Sequence, residues 1–127
     1  MAKESKRQRQ VGEMIKRHFS TLLQQEGILI YGSEVMVTVT QVKMSPDLMI
    51  AKVYLSVYNT DNKQAVLLLM EENRYRLQQN FYQRIRKHVR RAPELQYFLD
   101  DTLDEMYRLR SLFGRLEDEN QMGREEE

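Results

Sequence analysis

Apolar residues open the chain at three- and four-residue spacing. Val11, Met14, Ile15, Phe19, Leu22 and Leu23, with His18 on the same stripe, predict an amphipathic helix over residues 5–25. Gly27 and Gly32, in EGILIYGSE, supply turn or cap positions that end it. The period then shortens to two. VMVTVTQV, residues 35–42, is rich in β-branched side chains and predicts a first strand. Its alternation slips, because Val35, Val37 and Val39 share one parity while Val42 and Met44 take the other, so a bulge or twist is expected near Thr40. Pro46 and Asp47 make a tight connection. In the second strand Ala51, Val53, Leu55 and Val57 face one way, and Lys52, Tyr54, Ser56 and Tyr58 the other.

NTDNKQ opens a long helix expected to run to about residue 89. Val66 and Met70 start its apolar face, which resumes at Leu77, Phe81, Ile85 and Val89; Asn73 and Arg74 stand where the stripe should continue. Such a phase break predicts a kink or two helices. Pro93 ends the element. ELQYFL, residues 94–99, is the third strand, and residues 100–116 form a last helix with Thr102 and Glu105 as a capping box. The order is αββ–αα–βα, a single α+β domain with helices packed on one face of a three-stranded sheet. Residues 1–5 are expected to be a flexible basic end, 6–116 the domain, and 117–127 a disordered acidic tail.

A chain of 127 residues with 41% hydrophobic content supports one modest core. No apolar run approaches the ~20 residues of a membrane span, and the charged start MAKESKRQRQ lacks a signal core, so a cytoplasmic protein is expected. Without cysteine there is no disulfide, thiolate metal site or cysteine nucleophile. Glycine is absent from residues 33–113, which excludes a phosphate-binding loop or dinucleotide fingerprint there. His18 and His88 have no metal-ligand spacing and are expected to be helix-face residues near the core. The four carboxylates of DDTLDE cap a helix and complement its dipole, and no nucleophile or base accompanies them. No enzyme, cofactor, metal or small-molecule substrate is expected. Tyr54, Tyr58 and Phe98 are able to stack on bases from an open sheet face, with ordinary cross-strand packing the expected role.

Charge changes the picture through its distribution. Lys+Arg number 20 against 19 Asp+Glu. Yet NRYRLQQNFYQRIRKHVRR, residues 73–91, holds Arg74, Arg76, Arg84, Arg86, Lys87, Arg90 and Arg91 and no acid. On a helical wheel of ~100° per residue, Arg76, Arg86, Lys87 and Arg90 fall opposite the apolar arc, and Arg74 falls within it. A solvated helix face mixes charge signs, whereas an all-positive one is suited to phosphates. Lys6, Arg7, Arg9, Lys16 and Arg17 on the first helix are expected to widen this surface. The alternative is a protein–protein adaptor whose basic helix docks on an acidic partner.

SPDLMIAKVYLSVY (residues 45–58) and APELQYFLDDTLDE (residues 92–105) resemble the two most recognisable stretches of the ribosome-binding factor A family. The likeness extends over roughly residues 6–116. It implies a KH-like (type II) domain with an interrupted central helix in place of the usual Gly-x-x-Gly loop. It also implies a monomeric, non-enzymatic bacterial assembly factor. Such a factor binds the small ribosomal subunit and its rRNA, and assists late maturation, including the 5′ end, above all in the cold. Where the family commonly carries a small Ala-x-Gly element at the break, this chain has Asn73-Arg74-Tyr75. Arg91-Ala92 stands where branched apolar residues usually precede Pro-Glu-Leu.

Overall fold

The computed structural model describes residues 4–100. The helix expected over residues 100–116 and the acidic tail lie outside the described residues. Within them the order is α1 (Lys6–Tyr31), β1 (Met36–Met44), β2 (Ile50–Tyr58), α2 (Lys63–Glu72), α3 (Arg74–Ile85) and β3 (Glu94–Leu99). The sheet runs β1-β2-β3, with β1 antiparallel and β3 parallel to the central β2. This is the α+β architecture that the order of periods predicts.

Helix α1 begins on a capping box. Ser5 Oγ accepts from the Gln8 N–H at 3.1 Å, and the Gln8 side chain accepts from the Ser5 N–H at 2.7 Å, which satisfies two otherwise orphaned donors. The Gln8 amide also donates to the Met44 carbonyl at 3.0 Å, so one residue both starts α1 and ties it to the end of β1. The helix lies so close to β1 that a Cβ on Gly12 would come within 2.8 Å of the Val42 carbonyl oxygen. Val11, Ile15, Phe19 and Leu22 fill the space between α1 and the sheet, where Val53, Leu55 and Leu95 face them, and α3 adds Leu77, Phe81 and Ile85. The Phe19 ring meets Phe81 edge-on and stacks against Tyr97.

Strand β2 alternates as expected, with Ala51, Val53, Leu55 and Val57 buried. The pairing of β1 with β2 shifts register between Val39 and Gln41, so the slip in the valine pattern is a bulge at Thr40. The central helix is two helices, as the phase break predicts. Asn62 caps α2 by accepting from the Ala65 N–H, and Asn73 ends it by donating its side-chain amide to the Leu69 carbonyl.

Three expectations need correction. Helix α1 does not stop near residue 25 but runs to Tyr31, because Gly27 is an interior position covered by the Tyr31 side chain, and the cap is Gly32 at φ 89°. The first strand is shifted to Met36–Met44. Helix α3 ends at Ile85 rather than near residue 89. The His88 and Val89 N–H groups turn back onto the Ile85 carbonyl, and that turn lays Val89 and Ala92 against the core and aims the chain into β3.

Candidate nucleic-acid interface

The early end of α3 redistributes the basic residues. Arg86, Lys87 and Arg90 do not share a helix face; Arg86 caps α3, and Lys87 and Arg90 lie in the irregular stretch before β3, all exposed. Arg76 remains on the exposed side of α3. Ten residues of helix separate it from Arg86, about 15 Å at 1.5 Å per residue.

Arg74 is turned inward, in keeping with its place in the apolar arc. Its guanidinium donates to both Glu71 carboxylate oxygens at 2.8 Å and to the Leu95 carbonyl at 2.6 Å, and it lies 5.6 Å over the Tyr97 ring. Glu71 raises the Arg74 pKa, and burial pushes the Tyr97 phenol well above its ordinary value of 10. Gln78, one turn on, donates to the Pro93 carbonyl and accepts from the Leu95 N–H. Polar side chains thus fasten the helix break to β3. Arg84 is likewise engaged, donating to the Gln25 side chain of α1.

What remains forms a composite surface. Arg7 of α1 and His88, Arg90 and Arg91 of the α3–β3 connection line one cleft of about 880 Å³ floored by Val11 and Val89. Its two carboxylates, Asp47 and Glu94, already have partners. Asp47 accepts from the Ser45 hydroxyl and the Met49 N–H, which lower its pKa, and Glu94 sits 3.9 Å from Arg74. With Arg7, Arg90 and Arg91 against Asp47 and Glu94, three positive charges against two negative, the cleft is only slightly positive. Farther along α1, the His18 and His88 rings come within 5.5 Å, with Arg17 and Arg84 close enough to act on His18. Arg7 and Arg17 thus join the basic connection, whereas Arg9 and Lys16 fall roughly opposite Arg7 on a wheel of ~100° per residue. Lys6 is exposed at the first position of α1.

Two contributors escape a sequence reading. Arg91 and His88 line the cleft although the wheel does not select them, and the meeting of the two histidines depends on the turn after Ile85. Their location within the basic run is the available signal.

His18 reports the local potential. Burial, then the positive charges of His88, Arg17 and Arg84, hold its pKa below the ordinary 6.5. The folded protein then binds fewer protons here than the unfolded chain, so this contribution to stability is full above pH 6.5 and is lost as pH falls through the lowered value. Following the His18 ring protons by NMR should give a midpoint below 6.5, rising when RNA phosphates neutralise the surface. A midpoint at or above 6.5 in the free protein would contradict this electrostatic picture.

Comparison with known proteins places this geometry. The sequence pattern of the family described as ribosome-binding factor A matches residues 7–113. The ribosome-binding factor A of Cytophaga hutchinsonii is 34% identical over 122 residues, covering 92% of this chain and 91% of that one. Among solved structures, the crystal structure of ribosome-binding factor A from Thermus thermophilus superposes with TM-score 0.59 at 19% identity, over 72% of this chain and 94% of the other. A homology model of the Thermus thermophilus factor, fitted into the cryo-EM map of its 30S complex, superposes with TM-score 0.57 at 21% identity, over 70% and 90% of the two chains. With its fold matched in those structures and its sequence matched along most of its length, this chain belongs to the ribosome-binding factor A family.

Proposed function

We propose that this protein binds the small ribosomal subunit through its rRNA and assists the late maturation of that RNA, including its 5′ end, most importantly in the cold. It acts in the cytoplasm as a monomer and without enzymatic chemistry. The observation that carries this reading is the convergence of Arg7 with His88, Arg90 and Arg91 on one cleft, flanked by exposed Arg86 and Lys87. Cations drawn from two distant parts of the chain gain nothing from one another in the free protein. They gain from a polyanion, whose condensed counterions are released on binding. Family membership supports a ribosomal partner, and the 30S complex of the Thermus thermophilus factor supports the small subunit as the one bound. Among the described residues no helix is long and apolar enough to cross a membrane, and no cluster of three potential metal ligands occurs.

Co-sedimentation of the full chain with purified small and large subunits tests this. Association with the small subunit alone, weakening steeply as salt rises, is the expected result. An adaptor docking on an acidic protein would rely on apolar anchors and tolerate salt moderately. Equal association with both subunits, or none, would overturn the proposal.

A further inference from the structure

The sheet has a second face, and its chemistry differs from that of the cleft. Ala51, Val53, Leu55, Val57, Leu95 and Tyr97 point into the core. Alternation therefore sends Met36 and Thr38 of β1, Lys52, Tyr54, Ser56 and Tyr58 of β2, and Gln96 and Phe98 of β3 to the opposite side. The bulge at Thr40 adds Gln41 and Lys43 of β1 to that side, because its extra residue reverses the alternation that would otherwise aim them at the core. Lys43 stands across from Lys52, and Tyr54 across from Phe98.

These side chains form an ordered column. The Lys43 ammonium lies 5.7 Å over the Tyr54 ring, and the Tyr54 ring stacks on Phe98 with centroids 5.5 Å apart and planes 27° from parallel. The column ends on Phe98, in the last strand of the sheet, which is 39% exposed. Gln41, Ser56 and Gln96 beside it are neutral and carry hydrogen-bonding groups. Among the described residues, acids stand at both ends of β3, with Asp100 accepting from the Thr40 hydroxyl and Glu94 beside Arg74.

One exposed aromatic residue is ordinary. A stacked column with Lys43 over one end and Lys52 beside it is a combination with a specific use. Unpaired bases stack on such rings, phosphates meet the lysines, and neutral amides and hydroxyls read base edges. A protein partner would need a continuous apolar core to the patch, and here the polar pair Thr38 and Ser56 separates the Tyr54–Phe98 column from the exposed Met36 and Tyr58 at the far end of the face. Double-stranded RNA would be unable to use the rings, because its bases are already stacked.

We propose that this open sheet face is a platform for single-stranded RNA, on which an unpaired base stacks against Phe98 while Lys43 and Lys52 meet the neighbouring phosphates. None of these residues lines the basic cleft. The platform deepens the rRNA reading by naming the form of RNA engaged, yet it stands or falls separately.

The test measures the full chain by fluorescence anisotropy against two labelled probes, a single-stranded oligoadenylate of about ten nucleotides and an RNA duplex of the same length. Phe98→Leu keeps an apolar strand residue and removes the π face. It should weaken oligoadenylate binding about tenfold and leave duplex binding unchanged, while Phe98→Tyr should bind as the wild type does. Lys43→Gln with Lys52→Gln, which leaves the core untouched, should lower the salt slope for the single strand by about 1.4 units at ~0.7 per contact. Wild-type affinity in a folded Phe98→Leu protein would overturn the platform. So would an unchanged slope in the double lysine variant, or failure of the wild type to bind oligoadenylate. Small-subunit binding that survives either result would leave the cleft proposal standing. Loss of subunit binding with Phe98-dependent oligoadenylate binding intact would do the reverse.

Discussion

Gly12→Val should cost the protein about 2–3 kcal/mol and lower its melting temperature by roughly 10 °C or more. The cause is backbone, not side chain. A Cβ at this position would sit 2.8 Å from the Val42 carbonyl oxygen, closer than van der Waals contact allows. Relief requires α1 to lift from β1, which would open the packing of Val11 and Ile15 and stretch the Gln8–Met44 hydrogen bond. Valine adds two methyl groups to that conflict. Gly12→Ala sets the same clash against a gain in helix propensity of about 1 kcal/mol, so a smaller net loss is expected. Gly27 provides the contrast, since the obstacle there is the end of the Tyr31 side chain, which is able to swing away. Gly27→Ala should therefore be neutral or stabilising by up to about 1 kcal/mol. Thermal unfolding followed by circular dichroism checks the set. A Gly12→Val protein melting within about 2 °C of the wild type would mean that α1 does not press on β1.

The sequence discloses those elements whose burial is periodic. Strand β2 is half-buried along its whole length, so alternation alone reveals its two faces. The helix break is legible because polar Asn73 and Arg74 stand three and four residues after the buried Met70, where the stripe should continue before Leu77. The bulge is legible for the same reason, since Val39 and Val42 are both buried across an odd spacing. Illegible features depend on contacts distant in sequence. Gly27 resembles a helix end until Tyr31 is seen to cover it. Val89 keeps the helical phase of Ile85 yet reaches the core after a turn, so the wheel continues α3 too far. That error places Arg86, Lys87 and Arg90 on a helix. Their positive character survives because it comes from composition, while their geometry comes from the connection to β3 and from Arg7, more than seventy residues earlier. Arg74 is set apart by its place in the apolar arc, and its partners Leu95 and Tyr97 explain why.

The second large effect concerns salt. Arg86, Lys87 and Arg90 are exposed, and replacing all three with glutamine touches no core position. The variant should fold normally. If each cation meets one rRNA phosphate, the slope of log affinity against log salt should fall in magnitude by about 2–3 units, at ~0.7–0.9 per contact. Phosphate contacts position a protein without reading bases, so the loss should be similar for RNAs of different sequence. Arg74→Gln serves as the opposite control. It breaks the half-buried contacts to Glu71 and Leu95, so it should lower stability by about 1–3 kcal/mol while leaving the slope of the folded protein unchanged.

Whether cations of the α3–β3 connection bind the phosphates of small-subunit rRNA is decided by the salt dependence of subunit binding. Binding of wild type and the Arg86, Lys87, Arg90 triple variant to purified small subunits is followed from low to moderate salt, with folding checked in parallel. Both proteins should be folded, with a slope shallower by about 2–3 units in the variant. A folded triple variant with the wild-type slope would contradict it and show that this surface is merely solvated.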